Sequence, residues 1–409
     1  GKTTTSRMVA RILEAAGYQV GLACTDGVYV GRELIKRGIS SGISGALTLF
    51  SNSRVEVAVL ETSRGTLVQR GLGFDLTSVG ACTKVEADHI GLEGIESLAD
   101  MRRLKQVVVE RATELAVLNA EDPLCLAMLP HTTARRTALV STDPGCPAVL
   151  SHTAAGGLAV VLDSSGEIPS ISCREGAHQQ ILMPVDKIPA TWDGVARHNV
   201  QNALFATAIA MGLGVGPAAI RQGLSSFQPS VSDSPKRVNR YDKLPFQVII
   251  DQAATAPGYR AMCNFVDQLP VEGQRVLVFY GIGDRRDQDL RDIGQRVSQS
   301  FDTFICLDAA DYRRGRQEGE VPSLLSGALL EEGVQGQQIW VCGETQEGVQ
   351  RALTTAGTGD LVVIVVPGPA EKVISWLDQH AASRALECPS LPDDQGPDTK
   401  GDPIEKADP

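Results

Sequence analysis

No surplus of positive charge marks this chain: 38 lysines and arginines stand against 49 aspartates and glutamates, a formal net charge of -11. A nucleic-acid backbone needs a basic surface, so nucleic acid is excluded as the main partner, and a small anionic ligand has to be held locally. Paired cysteines are also missing. The nine cysteines are odd in number and scattered without metal-like spacing, the pattern of reduced thiols in a cytoplasmic protein. No apolar run approaches the length of a membrane span, which excludes the membrane as a partner, and no signal-peptide pattern is visible in these residues. What is present is a 43% apolar share over 409 residues, enough for two or three domains with real cores.

The most informative residues come first. Gly1-Lys2-Thr3-Thr4-Thr5 matches the end of a phosphate-binding loop and runs into helical spacing over 6–16. Glycine lets backbone N–H groups approach phosphate oxygens, lysine reaches the β- and γ-phosphates, the next hydroxyl ligates Mg²⁺, and the helix N-terminus adds positive potential. A nucleoside triphosphate with Mg²⁺ is the natural ligand. The context agrees: Met8, Val9, Ile12, Leu13 and Ala16 share one helical face, Gly17 follows as a C-cap, and 20–24 reads as a buried strand. The full loop motif includes an earlier glycine behind a strand, so the chain is expected to be a piece of a longer protein whose first sheet lacks that central strand.

Further along, 20–25, 55–62, 79–85, 115–119 and 137–140 read as strands alternating with helices, a parallel α/β sheet. Between 146 and 192 the pattern changes to short β-like runs, 158–162, 168–173 and 180–183, which predict a small antiparallel excursion. Helix returns over 198–227, and the serine- and proline-rich stretch 226–236 reads as a linker. A second α/β unit follows, with strands expected at 248–251, 275–280, 303–307, 338–342 and 361–366. Gly281-Ile282-Gly283 after a strand is a lone GxG and does not predict a nicotinamide cofactor. From Cys388 onward, proline, aspartate and lysine predict disorder.

Several stretches then occur together: GKTTTSRMVARILEAAGYQVGLACTDGVYV, VLETSRGTLVQRGLGFD, ADHIGLEGIESLADMRRLK, VLNAEDP, RHNVQNALFA, GIGDRRDQDL and RRGRQEGEV. Over about residues 1–380 the chain resembles the Mur ligases, and by the last two stretches the Mur-like half of the cyanophycin synthetases. The resemblance implies a P-loop Mur ligase central domain over 1–228, with a parallel sheet, helices and a small antiparallel excursion, then a Rossmann-like C-terminal domain over 229–385 and a disordered tail over 386–409. It implies an ATP- and Mg²⁺-dependent ligase: a carboxylate attacks the γ-phosphate, and an amine displaces phosphate from the resulting acyl phosphate, with positioning and charge neutralisation doing most of the work. The implied partners are an amino acid, arginine, and an aspartate-bearing polymer or peptide acceptor, in a homo-oligomer of a longer chain.

Residue by residue, Gly1, Lys2, Thr3 and Thr4 match the phosphate loop, with Lys2 on the phosphates and Thr3 on Mg²⁺. Glu61, at a strand end beside that loop, matches a metal-binding glutamate, though a strand-end glutamate also caps turns. His89 matches a histidine used at a second metal and reads equally as a loop residue. Lys105, flanked by Met101, Leu104 and Val108, matches a lysine carried as a carbamate that bridges to Mg²⁺; a solvated lysine covering a helix edge is the alternative. Asn202 matches an asparagine near the adenine, or caps a helix. Arg237 matches an arginine that reaches the γ-phosphate from the second domain, and Asp251 an aspartate that meets the ribose, so ATP is expected in an interdomain cleft that closes. Arg285, Arg286, Arg313, Arg314 and Arg316 serve the polymer's carboxylates or are solvated surface charge.

Two departures stand out. After Asp251 the resemblance leads one to expect tyrosine or serine, then alanine and a histidine-asparagine pair, but the chain has Gln252-Ala253-Ala254-Thr255-Ala256. Lys84 stands where an asparagine is expected after Thr83, adding positive charge near the metal and phosphates. These departures keep open a degenerate, binding-only copy, and a cell-wall or folylpolyglutamate-type ligase is the rival within the fold.

Overall fold

The computed structural model describes residues 1–87 and 90–387; the expected disordered tail from Cys388 lies outside the described residues. The first helix, α1 (Lys2–Ala15), leads into β1 (Val20–Cys24), β2 (Gly27–Val30) and β3 (Glu33–Arg37), then α2 (Ile43–Phe50), β4 (Val57–Leu60), α3 (Arg64–Arg70) and β5 (Thr77–Cys82). There follow α4 (Leu98–Glu110), β6 (Ala112–Asn119), α5 (Pro123–Leu126), β7 (Arg136–Ser141), α6 (Pro147–Ala154), β8 (Leu158–Asp163), β9 (Ser170–Glu175), β10 (His178–Pro184), α7 (Arg197–Gly212) and α8 (Pro217–Ser225). The remainder holds β11 (Asn239–Tyr241), β12 (Gln247–Asp251), α9 (Ala256–Val266), β13 (Arg275–Tyr280), α10 (Asp287–Ser298), β14 (Thr303–Leu307), α11 (Glu320–Glu331), β15 (Ile339–Cys342), α12 (Thr345–Thr355), β16 (Leu361–Val365) and α13 (Ala370–Glu387).

Where one parallel sheet was expected over 20–141, the strands divide between two sheets. The first has the order β3-β2-β1-β4, with only β1 and β4 parallel. The second has the order β10-β9-β8-β7-β6-β5: β5 to β8 are parallel, so the run 158–162, expected in the antiparallel excursion, is instead the fourth parallel strand, and the excursion continues this same sheet as β9 and β10. The β2–β3 hairpin escapes sequence reading because β3 is a short, mostly exposed and charged edge strand, as edges that avoid pairing with other chains tend to be. Two-residue turns join β1 to β2 and β2 to β3, with Gly31 at φ +57 in the second.

The apolar residues sort by strand alternation. Leu115, Val117, Val140 and Val160 pack with Met8, Ile12 and Leu13 of α1 and Leu204 and Phe205 of α7, while Ala116, Leu118, Leu139 and Val161 face Met101, Val109 and Val149 on the other side. The 43% apolar share is thus spent on a sheet covered on both faces. The third sheet, β11-β12-β16-β13-β14-β15, is parallel except for the short edge strand β11. Its core also takes in Ala196, with Trp192 and Val195 packed against it, so the segment leading into α7 is fastened to the second unit. The lone GxG serves packing: a Cβ at Gly283 would lie 1.9 Å from the Arg313 carbonyl oxygen. Eight cysteines among the described residues are free and buried, and no helix among them is long and apolar enough to cross a membrane.

Candidate active site

Gly1 is the N-cap of α1, no side chain caps that helix, and its first turn holds no acidic residue. The open N–H groups of the turn therefore keep their positive potential for an anion. Gly1 is glycine because of close approach: a Cβ there would come within 2.8 Å of Asn202 Oδ1. That amide cannot swing aside. Thr5 Oγ1 donates to Asn202 Oδ1 (3.2 Å), Asn202 Nδ2 donates to Asn199 Oδ1 (3.0 Å), and Asn199 Nδ2 donates to the Ala190 carbonyl (2.8 Å). Asn202 lies inside α7, whose N-cap is Ala196, so the helix-cap reading of Asn202 is wrong; the buried amide braces the first turn of α1. Lys2 is exposed, whereas Thr3, Thr4 and Thr5 are buried.

Glu61 follows the C-terminal end of β4 and is 4% exposed. The Thr25 N–H donates to its Oε2 (2.9 Å) and Thr25 Oγ1 to its Oε1 (2.8 Å), which fixes the carboxylate and leaves each oxygen further acceptor capacity. A buried carboxylate with one protein partner and the Thr3 hydroxyl are hard oxygen donors. They fit Mg²⁺, which keeps waters and takes phosphate oxygens alongside one or two protein ligands. Among the described residues no three His, Cys, Asp or Glu side chains gather into a metal cluster, and His89 lies outside the described residues.

Lys105, on α4, donates from Nζ to the Lys84 carbonyl (2.8 Å). Burial pulls its pKa down, and Lys2 acts in the same direction. The loop it holds is fastened from below as well: Asn119 Nδ2 donates to the Thr83 carbonyl (2.9 Å), and the Val85 N–H to Asp122 Oδ2 (2.7 Å). Lys84 brings less charge to the site than its position in the sequence suggested, because its Nζ pairs with Glu86 at 2.7 Å.

From the third sheet's side, Arg237 Nη2 reaches Thr3 Oγ1 at 3.5 Å, while Nη1 donates to Gln252 Oε1 at 2.8 Å. Asp251 accepts the Val238 N–H at Oδ2 (3.0 Å), and burial raises its pKa although Arg237 and backbone N–H groups oppose the rise. The arginine-rich loops are engaged internally. Arg313 makes a two-pronged pair with Asp308 (2.9 Å each), Arg316 bonds Asp287, Glu320 and the carbonyls of Gly283 and Arg285, Arg286 pairs with Asp289, and Arg285 with Asp284. Arg314 lies over the Tyr312 ring. Solvated surface charge is the wrong reading for Arg313 and Arg316: they bind one loop to the next.

Sequence reasoning missed Arg7 and Arg11, two buried arginines spaced i,i+4 in α1. Arg7 bonds Asp26, Tyr29 and the Asp233 carbonyl, and Arg11 pairs with Asp233. They tie the stretch between the two units to α1. The spacing was the available signal; the partner, more than two hundred residues away, was not visible.

Residues 1–210 match the Mur ligase middle domain, and residues 236–366 match the Mur ligase glutamate ligase domain. Cyanophycin synthetase of Crocosphaera subtropica is 35% identical over 382 residues, 93% of this chain and 43% of that protein, so the chain spans less than half the length of this curated relative. A UDP-N-acetylmuramoyl-L-alanyl-D-glutamate–2,6-diaminopimelate ligase of Syntrophomonas wolfei is 24% identical over 94% of this chain and 76% of that protein. Among solved structures, E. coli FolC in complex with ADP aligns with a TM-score of 0.67 at 18% identity, over 94% of this chain and 88% of that one. A bifunctional folylpolyglutamate synthase/dihydrofolate synthase with Mn, AMPPNP and L-glutamate bound aligns with a TM-score of 0.65 at 19% identity, over 92% and 87%.

Proposed function

This chain belongs to the Mur ligase family, and from that premise we propose that it is an ATP- and Mg²⁺-dependent amide ligase joining arginine to the side-chain carboxylates of an aspartate-bearing polymer. The observation that supports the ligase reading is that Arg237, from beside the third sheet, reaches Thr3 in the uncapped first turn of α1. The amino acid and acceptor rest on the 35% identity to cyanophycin synthetases. On this reading the first unit covers 1–228 and the second 229–385.

The chain's own residues divide the work. The N–H groups of α1 and the Lys2 ammonium receive the phosphates, and Arg237 supplies charge from the opposite side as the acceptor carboxylate attacks the γ-phosphorus. Thr3 and Glu61 would hold Mg²⁺, which when bound neutralises charge between the β- and γ-phosphates. Asn202 keeps the turn in place, and Asp251 is the candidate ribose partner. Lys105, with its depressed pKa, is the candidate carbamate, paired with His89. The amine of the incoming amino acid then displaces phosphate from the acyl phosphate. Phosphate release assayed with an amino-acid panel and an aspartate-bearing primer tests the reading: arginine should drive turnover, and preference for glutamate or a diamino acid with arginine inert would transfer the chain to another branch of the family.

A further inference from the structure

Arg237 is held by three acceptors on one nitrogen. Nη1 donates to the carbonyls of Pro235 (3.2 Å) and Lys236 (3.0 Å) and, at the shortest distance, to Gln252 Oε1 (2.8 Å); Nη2 extends to Thr3 Oγ1 (3.5 Å). Two of these acceptors are chain neighbours of the arginine itself. Gln252 comes from elsewhere, directly after the C-terminal end of β12. The backbone on either side of Arg237 is in the left-handed region, with φ +53 at Lys236 and φ +55 at Val238. A branched residue adopts that conformation only when its surroundings impose it. Here the Lys236 N–H donates to Asn239 Oδ1, Lys236 Nζ to the Gly368 carbonyl, and the Val238 N–H to Asp251 Oδ2. Asp251 thus holds the backbone next to Arg237, and Gln252, its neighbour, holds the guanidinium.

We infer that Gln252 is a positioning residue, whose amide oxygen fixes Nη1 of Arg237 so that Nη2 stays turned toward the phosphate-binding turn of α1. The choice of a neutral acceptor matters. A carboxylate at 252 would draw the guanidinium into an ion pair and compensate its charge, whereas an amide oxygen orients the group and leaves that charge to the transferring phosphoryl oxygens. The departure after Asp251 is then a change of partner for Arg237 and not a lost function. The inference deepens the proposed ligase reading and rests on it for the identity of the anion.

The test combines Gln252→Leu, Gln252→Glu, Arg237→Ala and the Gln252→Leu/Arg237→Ala double variant, with kcat and KM for ATP, thermal melts, and side-chain ¹⁵N NMR of Arg237. Gln252→Leu should lower kcat about tenfold or more, with a smaller change in KM, and should add nothing in the Arg237→Ala background. Gln252→Glu should also lower kcat although it keeps an acceptor. The Arg237 Nη resonances should show restricted rotation in the wild type and lose it in Gln252→Leu while the melt stays unchanged. Losses that add in the double variant, or Nη resonances indifferent to Gln252→Leu, would overturn the inference. A wild type that consumes no ATP with any amino acid but shows the NMR contrast would sink the ligase reading and leave the positioning role standing.

Discussion

Lys2 sits exposed in the first turn of α1, beside Thr3, Thr4 and Thr5, whose buried side chains hold the turn. Its ammonium is expected to act on charge that grows in the transition state, so Lys2→Ala should reduce ATP turnover by on the order of 10² or more. Near-normal turnover in that variant would remove the phosphate-loop reading. Lys105 makes a different prediction. An ammonium beside Mg²⁺ repels it, whereas a carbamate supplies two hard anionic oxygens, and the pKa lowered by burial favours the neutral amine that reacts with CO₂. Lys105→Ala should lose activity and regain part of it with an added short-chain carboxylate. An unchanged rate would leave Lys105 as the lysine that ties α4 to the Lys84 carbonyl.

The elements that carry the site are tied together by buried charge. Asp233 faces Arg11 and the Arg7 side chain bonds its carbonyl, with Arg7 also bonded to Asp26 in the β1–β2 turn. Asp233→Ala leaves the buried Arg11 guanidinium only the Glu14 ion pair at 3.5 Å and should cost on the order of 2 kcal/mol; urea denaturation reads it, and a midpoint within error of the wild type would show the latch to be energetically idle. Most elements were legible because their pattern is local. β13 and β14 occur at the residues read from the sequence, since apolar runs buried on both faces admit few alternatives. The β2–β3 hairpin was not legible, because its outer strand is polar and exposed. The candidate site was legible in its charged residues but not in what orients them. Thr25 beneath Glu61 and Gln252 beside Arg237 are partners defined by folding across 36 and 15 residues, and Gln252 read as a loss because residue type alone does not reveal an acceptor's aim. The arginine loops misled for the same reason: Asp308 and Asp287 are their partners.

At the scale of the whole molecule, the segment before α7 packs into the core of the second unit, where the His198 ring meets Phe265 edge-on at 6.2 Å. Burial pulls the His198 pKa down to about 4. The unfolded chain, with histidine near 6.5, therefore binds more protons between about pH 4 and 6.5, so stability rises with pH across that window and is level above it. His198→Asn should remove a slope amounting to at most about 3 kcal/mol; denaturation curves at pH 7, 5.5 and 4.5 measure it, and parallel profiles for the two proteins would contradict the assignment. The two units are also joined across the site itself, by Arg237 reaching Thr3, so the central claim is that both act on one nucleotide. The most direct measurement is phosphate release by the purified protein given MgATP, an aspartate-bearing primer and arginine, with each component withheld in turn. The account predicts release only when all are present, with arginine appearing in amide linkage on the primer; release that ignores arginine and primer, or none under any combination, would contradict it.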